Sequence, residues 1–473
     1  MIAPRTLYEK IVDAHTVRRG DDRGNLLLYV DRQVLNEYTS PQAFSVLREA
    51  NRSVWRPKGQ LAVVDHVNPT TPIRTVAIND AAKAKQVSYL GENCRTFGIE
   101  LFDILDKRQG IEHVVATEQG FVLPGMVIAA GDSHTITHGG LGALAFGIGT
   151  SEIEHLLATQ TLQYRTQRTM RITIDGTLGT GVTPKDLIMA VIAEIGADGA
   201  AGHVIEFAGA VFCAMSVEGR LTVCNMSVEA AARGALIEPD DKVFDYLRGL
   251  PRAPRGELWD QAVARWKTLK SDDGAQFSRE LSMDGSRIEP MVTWGTSPDQ
   301  AGSIGGRVPD PAAEADATRR RGMERALGYM ALTPGTRLAE ITIDRAFIGS
   351  CTNGRIEDLR DAANVLRGRR IAQGVRAMVV PGSTGVHDQA EAEGLHQIFI
   401  DAGFEWRQSG CSMCVAMNDD HLTPGERCAS STNRNFEGRQ GAGGRTHLMS
   451  PAMVAAAAIA GRLTDVRTLG ALA

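Results

Sequence analysis

The hydrophobic positions of this chain fall into short apolar runs, several of which lead into segments with helical spacing of apolar residues. Short apolar runs bounded by polar residues are typical of buried strands. They predict strands at Leu61–Val64, Val127–Ala129, Met170–Ile174, Glu340–Phe347 and Ala377–Val380. Strands that alternate with helices predict an α/β fold with mostly parallel sheets.

Two segments carry helix start signals. The pair Ser151-x-x-Glu154 has the spacing of a capping box and predicts a helix over Ile153–Leu162. Thr183-Pro184 places a cap before a proline at the first helical position, and Gly196 provides the stop. The second helix is therefore predicted to end just before Gly196.

Two stretches of linker-like composition suggest domain boundaries. Residues 165–170 are polar and basic, and Trp294–Pro311 is rich in glycine, proline and serine. We expect three α/β domains, at 1–169, 170–290 and 291–473.

Composition narrows the class of protein. The chain has 473 residues, 43% of them hydrophobic and 23% charged, which is ordinary for a soluble globular protein. A net charge of −5 gives no general attraction to nucleic acid or anionic membranes. The N-terminus lacks a signal-peptide pattern, and the run Met453–Ala460 is too short to span a bilayer. Seven cysteines, an odd number, suit a reducing cytoplasm better than a disulfide framework.

Three cysteines stand out: Cys351 in GSCTNG, and Cys411 and Cys414 in GCSMC. A closed structural zinc site uses four protein ligands. Three thiolates around an iron–sulfur cluster would leave one iron open to act as a Lewis acid. A lone C-x-x-C also fits a redox pair or half a zinc site, but no second zinc-binding motif accompanies it. We expect the other four cysteines to be small core residues: Cys94, Cys213, Cys224 and Cys428.

Acid–base residues follow two of the predicted strands. Asp65-His66 comes after Leu61–Val64, and Asp132-Ser133-His134 comes after Val127–Ala129. Polar residues just past the carboxyl ends of strands are where α/β proteins place ligand sites. An aspartate beside a histidine can orient the ring and raise its pKa.

Three further segments carry polar groups or glycines of interest. Asn225 and Glu229 are four residues apart and are expected to share one helix face. Arg434 and Arg439 lie among amides and glycine, where a guanidinium could bind a carboxylate, although a plain surface loop fits this segment equally well. The glycine-rich run 139–142 lacks dinucleotide-binding spacing and predicts close backbone packing.

Taken together, several segments resemble the aconitase superfamily, and most closely its branch of 3-isopropylmalate dehydratase large subunits. They are GSCTNGRIEDLR, SGCSMC, STNRNFEGR, CNMSVE, GDSHT and VDHVNPT, and the resemblance covers nearly the whole chain. It implies three aconitase-like α/β domains around a central iron–sulfur cleft. The swivel domain that aconitases carry at the C-terminus is missing, which implies a separate small subunit that completes the active site.

The resemblance also implies roles for residues that match the family motifs. Cys351, Cys411 and Cys414 would hold a [4Fe–4S] cluster in which one iron has no cysteine ligand. The proton-handling residues would be Asp65, His66, His113, Asp132, His134 and Glu229. The substrate-binding residues would be Asn225, Asn433, Arg434 and Arg439. Thr137 departs from the family pattern, since aconitases carry asparagine there.

The implied reaction is the isomerisation of 2-isopropylmalate to 3-isopropylmalate by loss and re-addition of water, a step of leucine biosynthesis. One alternative is a related hydro-lyase that acts on citrate, citraconate, homocitrate or a dimethylmalate. A second is a cluster-containing RNA-binding module, which the acidic charge disfavours. A third is a structural zinc protein.

Overall fold

A computed structural model of the protein describes residues 3–20 and 24–471. Numbered along this part of the chain, the strands are β1 Thr16–Arg19, β2 Asn25–Tyr29, β3 Arg32–Asn36, β4 Gln60–Val63, β5 Glu100–Phe102, β6 Val127–Ala130, β7 Leu144–Gly147, β8 Thr161–Arg165, β9 Arg168–Asp175, β10 His203–Ala208, β11 Gly234–Ile237, β12 Arg279–Asp284, β13 Met291–Thr293, β14 Ala301–Ser303, β15 Arg345–Ile348, β16 Arg376–Val379, β17 Phe404–Trp406, β18 Arg427–Ser430 and β19 Arg445–Leu448.

The α-helices of the same residues are α1 Leu7–His15, α2 Pro41–Glu49, α3 Ala81–Phe97, α4 Glu112–Glu118, α5 Thr150–Thr159, α6 Pro184–Ile195, α7 Ala210–Ala214, α8 Val217–Met226, α9 Asp241–Leu247, α10 Glu257–Trp266, α11 Ala317–Met330, α12 Ser350–Asn353, α13 Ile356–Leu366, α14 Thr384–Ala392, α15 Leu395–Ala402 and α16 Pro451–Ala460. None of them is both long and apolar enough to cross a membrane.

Parallel pairing dominates the sheets. Two five-stranded sheets, β5-β4-β3-β6-β7 and β17-β16-β15-β18-β19, are parallel throughout. The four-stranded sheet β11-β10-β9-β12 is parallel as well. Antiparallel pairing occurs in β1-β2-β8 and in the β13–β14 pair. The prediction of an α/β fold with mostly parallel sheets is confirmed.

The two five-stranded sheets share one strand order. In each, the first strand along the chain is central, the next two lie on one side of it and the last two on the other. The chain therefore adds strands first on one side of the central strand and then on the other. The order reverses beside β3 in one sheet and beside β15 in the other. Ligands of open α/β sheets bind at the carboxyl ends of the strands at such a reversal.

The chain folds into two compact units, each built from segments that are separated in the sequence. Unit 1 consists of Met1–Val67, Ala77–Thr177 and Asp198–Gly285. Unit 2 consists of Asn68–Val76, Leu178–Ala197 and Ser286–Ala473. The sheet around β3 belongs to unit 1, and the sheet around β15 and helix α6 belong to unit 2. The three predicted domains stay a prediction.

Two sequence-based element assignments need correction. The helix expected at Ile153–Leu162 is α5, which begins earlier because the Glu152 carboxylate accepts the Gly149 N–H at 2.8 Å. Leu162 lies in β8 instead. The strand expected at Glu340–Phe347 is shorter, because Leu338–Glu340 forms a 3-10 turn before β15 begins.

Two other predictions are confirmed. Helix α6 begins after Thr183, whose hydroxyl accepts the Asp186 N–H, and it ends before Gly196. The glycine-rich run packs closely: a Cβ on Gly139 would lie 1.7 Å from the Ala235 carbonyl oxygen, and one on Gly140 would lie 2.7 Å from the Leu221 nitrogen.

The four isolated cysteines were all expected in the core, and three of them are there. Cys94, Cys224 and Cys428 are buried. The expectation is wrong for Cys213, which is exposed near the end of the short helix α7.

Candidate active site

Polar residues of unit 1 converge at the carboxyl ends of three adjacent strands. Glu37 follows β3, Asp65 and His66 follow β4, and Asp132 follows β6. Since β3 pairs in parallel with both β4 and β6, these ends lie at the same edge of the sheet. His113, in the first turn of α4, also reaches this edge, because its Nε2 lies 3.1 Å from an Asp132 oxygen. The sheet reversal thus gathers the predicted acid–base residues.

Glu37 fixes the backbone that presents the first aspartate–histidine pair. Its carboxylate accepts the N–H groups of His66 and Val67 at 2.8 Å each and that of Asp65 at 3.3 Å. Burial, together with the charge of Asp65, raises the pKa of Glu37. The sequence analysis missed Glu37, because the apolar Val34-Leu35 pair was too short to mark β3 as a strand.

The imidazole of His66 lies between two carboxylates. Its Nδ1 is 2.6 Å from Asp65 Oδ1, and its Nε2 is 3.8 Å from Asp132 Oδ2. Burial lowers the pKa of His66, but the two neighbouring carboxylates outweigh that effect and hold the pKa well above its usual value. The other Asp65 oxygen accepts the Glu112 N–H at 2.9 Å, which fixes the aspartate. The two carboxylates therefore favour the protonated form of the His66 imidazole.

Asp132 contacts several of the neighbouring histidines. Its Oδ1 accepts the His134 backbone N–H at 2.6 Å and lies 3.1 Å from His113 Nε2 and 3.4 Å from His134 Nδ1. His134 continues the chain of contacts, because its Nε2 lies 3.0 Å from Glu229 Oε1. Burial raises the pKa of Asp132, but the hydrogen bonds from the histidines hold it well below its usual value.

We call the set Asp65, His66, Glu112, His113, Asp132, His134 and Glu229 the acid–base network. Glu112 is a member that the sequence analysis missed, since nothing in its local pattern sets it apart from a helix-starting acid. Its Oε1 accepts a hydrogen bond from Asn36 at 3.2 Å and lies 3.6 Å from His113 Nε2. Burial, followed by the charges of Asp65 and Asp132, raises the pKa of Glu112 well above its usual value.

Asn225 and Glu229 do not share one α-helix face as expected. Asn225 lies in α8, which ends at Met226, and Glu229 lies in the 3-10 turn Ser227–Ala230. Asn225 Nδ2 donates to Thr137 Oγ1 at 2.8 Å, and that hydroxyl donates to the His134 carbonyl at 2.5 Å. Thr137, where aconitases carry asparagine, thus links Asn225 to the segment that holds His134.

In unit 2, the cysteine expected at a strand-to-helix junction is found there. Cys351 lies in α12, directly after β15, and Cys411 precedes the 3-10 turn Ser412–Cys414. Within the described residues none of these three cysteines forms a disulfide, and each is 5 to 8% exposed. The predicted helical stripe after Cys351 is buried in α13, at Ile356, Leu359, Ala363 and Leu366.

The Asn433 side chain joins two of the thiols. Asn433 Nδ2 donates to Cys351 Sγ at 3.4 Å, and Cys414 Sγ donates to Asn433 Oδ1 at 3.8 Å. Ser350 and Ser412, each next to a cysteine, have φ values of 87° and 48°, a left-handed conformation that costs non-glycine residues energy. Such strain is typical of backbone that is held in place for function.

Asp420 anchors the loop that carries Cys411 and Cys414. Its Oδ2 accepts hydrogen bonds from Ser412 Oγ at 2.7 Å and Asn418 Nδ2 at 3.0 Å, and also from Thr70 Oγ1. Arg407 donates to the other oxygen. Asp420 was missed because its partners come from three separate segments, which only the fold brings together.

The segment with the two arginines is more than a surface loop. Asn433 is fully buried, and Asn435 is fixed by donating to the Gly295 carbonyl at 2.7 Å. Arg434 and Arg439 are half-buried. The Arg439 guanidinium lies 5.5 Å from the centre of the Phe436 ring, and its buried Nε has no hydrogen-bond partner among the described residues.

The three thiols do not fit a single zinc ion. Among the described residues, the sets of three ligand atoms within 4.8 Å of one another do not include the three sulfurs together. Tetrahedral zinc, with Zn–S bonds of about 2.3 Å, would hold its sulfurs about 3.8 Å apart. At least one pair of these sulfurs is therefore farther apart than 4.8 Å, so the three do not have the spacing of a single tetrahedral zinc site.

Comparison with known proteins identifies the family of this chain. The sequence profile of the aconitase family (aconitate hydratase) matches residues 9–461. The 3-isopropylmalate dehydratase large subunit 1 of Mannheimia succiniciproducens is 64% identical over 463 residues, 98% of each chain. The large subunits 2 of Salmonella choleraesuis and Salmonella typhimurium are each 62% identical over 468 residues, 99% of each chain. The resemblance inferred from the motifs is confirmed: the chain belongs to the aconitase family.

Proposed function

We propose that this chain is the large subunit of a 3-isopropylmalate dehydratase. It would convert 2-isopropylmalate to 3-isopropylmalate through 2-isopropylmaleate, in the cytoplasm, as a step of leucine biosynthesis. The observation that carries the proposal is identity of 62 to 64%, over nearly the full length, to relatives of that name. Those relatives are named as large subunits, so a small subunit is the proposed partner.

The family implies an iron–sulfur cluster, and three buried thiols that form no disulfide among the described residues fit one. Cys351, Cys411 and Cys414 would hold a [4Fe–4S] cluster in which one iron lacks a cysteine ligand. When bound, such a cluster supplies a Lewis acid that polarises the carbon–oxygen bond of the substrate hydroxyl.

The acid–base network supplies the proton for the leaving group. Dehydration removes hydroxide from one carbon and a proton from its neighbour, and both recombine in the other orientation on rehydration. Hydroxide leaves as water once a protonated group donates to it. His66 is the proposed donor, because Asp65 and Asp132 raise the pKa of its imidazole and so favour the charged form.

The other members of the network hold protons and orient the donor. Asp132 stays ionised between three imidazoles, and Glu229 orients His134. Arg434 and Arg439 are proposed to bind the substrate carboxylates, and Asn225 and Asn433 to complete the polar lining. The base that removes the carbon-bound proton is assigned to the small subunit.

Purification of the complex without oxygen tests the proposal. The large and small subunits are produced together, and iron, sulfide and zinc are measured per chain beside the visible absorbance spectrum. Turnover is then measured on 2-isopropylmalate, citrate, citraconate, homocitrate and a dimethylmalate. We expect iron with sulfide and fastest turnover of 2-isopropylmalate. Zinc in place of iron, or no turnover of 2-isopropylmalate by an iron-loaded complex, would contradict the proposal.

A variant tests the role of His66. His66→Gln removes the charged donor, and we expect kcat to fall at least about 100-fold, the usual scale of general acid catalysis. His15→Gln is a matched control, because His15 pairs with Asp31 at 2.8 Å elsewhere in unit 1. The control should keep kcat within twofold of the unmodified complex. Equal kcat for both variants would remove His66 from the mechanism.

A further inference from the structure

A buried lysine of unit 2 has no role in the scheme above. Lys185 is the second residue of α6, and its side chain is 1% exposed. The sequence analysis treated this segment only as a helix start. Lysine is rarely this deeply buried unless its ammonium group has specific partners.

The partners of Lys185 are three acceptors. Its Nζ donates to Asn353 Oδ1 at 3.1 Å, to the Ser431 carbonyl at 2.7 Å and to the Thr432 carbonyl at 2.5 Å. An ammonium group has three donors and no acceptor, so these contacts satisfy it completely. The site is thus built for the charged form of lysine.

These acceptors belong to the segments that carry the cluster ligands and their bridging amide. Asn353 lies two residues after Cys351, and Thr432 directly precedes Asn433, which contacts both Cys351 and Cys414. Lys185 therefore ties the segment that follows β15 to the segment that follows β18. Without it, two backbone carbonyls and an amide would lose their common donor.

The positive charge of Lys185 has no close carboxylate partner. Among the described residues, no carboxylate oxygen lies within 4.0 Å of its Nζ. Burial lowers the pKa of Lys185 to about 7, and the groups that act in the other direction are Asp358, Asp186 and the thiols of Cys414 and Cys351. The stabilisation of the buried ammonium group therefore comes from its three oxygen acceptors.

We propose that Lys185 is a positioning residue for the cluster, which holds the segment that carries Cys351 against the segment that carries Asn433. The inference rests on the proposed cluster. Lys185 acts through the side chain of Asn353 and the carbonyl groups of Ser431 and Thr432, and it does not take part in the reaction. Its loss should therefore shorten the lifetime of the cluster.

The test is Lys185→Met in the complete complex, which keeps the length of the side chain but removes the charge and the donors. Iron and sulfide per chain are measured after anaerobic purification, and the decay of visible absorbance is followed in air. Changes around metal ligands commonly cost about 10- to 100-fold in metal affinity, so we expect the absorbance to decay at least about tenfold faster.

Lys242→Met is the matched control. Lys242 also donates to carbonyl oxygens, those of Cys213 at 2.8 Å and Ala214 at 2.6 Å, but it lies in unit 1. It should behave like the unmodified complex. If circular dichroism shows that Lys185→Met does not fold, Lys185→Gln, which keeps two donors without the charge, replaces it.

The outcomes separate this inference from the proposed function. A folded Lys185 variant that keeps its iron and decays within twofold of the unmodified complex would overturn the inference and leave the proposed function intact. An unmodified complex with neither iron nor turnover would overturn the proposed function itself.

Discussion

At the residue scale, the acid–base network depends on carboxylates held in different charge states by their surroundings. Hydrogen bonds from histidines hold the pKa of Asp132 well below its usual value, whereas burial and the charges of Asp65 and Asp132 raise the pKa of Glu112. The motifs identified Asp132 but not Glu112, because a charge state follows from neighbours that the fold supplies. The roles assigned to the motif residues stay predictions.

Replacing Glu112 tests its charge state. The pKa of Glu112 is raised in the folded protein, so the unfolded chain loses this proton first as the pH rises above about 4.5. Stability conferred by the protonated carboxyl is present below that pH and is lost as the pH rises towards the folded pKa. Glu112→Gln keeps a neutral group of the same shape, so its thermal midpoint relative to the unmodified protein should increase between pH 5 and pH 8.

The control for this comparison is Glu49→Gln, at an exposed residue of α2. Its thermal midpoint relative to the unmodified protein should stay constant over the same pH range. A constant difference for Glu112→Gln as well would mean that Glu112 is ionised in the folded protein throughout this range.

At the element scale, the sequence predicted those helices whose start signals are local. Thr183 and Pro184 marked α6 correctly, since cap and proline act on adjacent backbone. For α5, Ser151-x-x-Glu154 had capping-box spacing, but the backbone of Gly149 and the carboxylate of Glu152 form the real start. The sequence alone could not show which of these two start signals the helix uses. It also could not show that the helix ends before Leu162, because Leu162 pairs with a neighbouring strand as part of β8.

Replacing glycine with alanine should have opposite effects on stability at two places in the chain. In α11, Gly322 and Gly328 are exposed, and a Cβ on either would contact nothing. Gly322→Ala or Gly328→Ala should therefore raise the free energy of unfolding by about 0.5–1 kcal/mol, because alanine loses less backbone entropy on folding.

Gly139→Ala should have the opposite effect. Its Cβ would overlap the Ala235 carbonyl oxygen, which belongs to β11, so we expect a loss of about 3 kcal/mol or failure to fold. Urea unfolding of the three variants measures both predictions. A Gly139→Ala protein as stable as the unmodified one would show that the 139–142 run is not closely packed.

At the scale of the whole molecule, two sheets of identical strand order each carry one set of functional groups. The acid–base network forms beside β3 in unit 1, and Cys351 and Asn433 follow β15 and β18 in unit 2. The sequence predicted parallel α/β sheets, since short apolar runs alternate with helices. It could not predict the strand order, because order depends on how each connection crosses the sheet.

The interleaving of the units gives a prediction about fragments. Residues 286–473 contain all of β15–β19 but lack α6, whose buried face includes Leu187, Val191 and Ile192. We expect this fragment alone to lack a cooperative thermal transition and to bind a hydrophobic dye. Joining residues 178–197 to it through a glycine–serine linker should restore cooperativity. Cooperative unfolding of the shorter fragment would show that α6 is dispensable.

The same interleaving has a consequence for synthesis of the chain on the ribosome. Helix α6 leaves the ribosome well before the strands that it contacts, β13 and β14, the second of which ends at Ser303. At about 5–20 residues per second, the roughly 110 residues between them take on the order of 5–22 s to make. During that time the apolar face of α6 has not yet packed against these strands. A newly made chain therefore offers a hydrophobic helix to chaperones, and its yield should depend on them more than the stability of the finished protein would suggest.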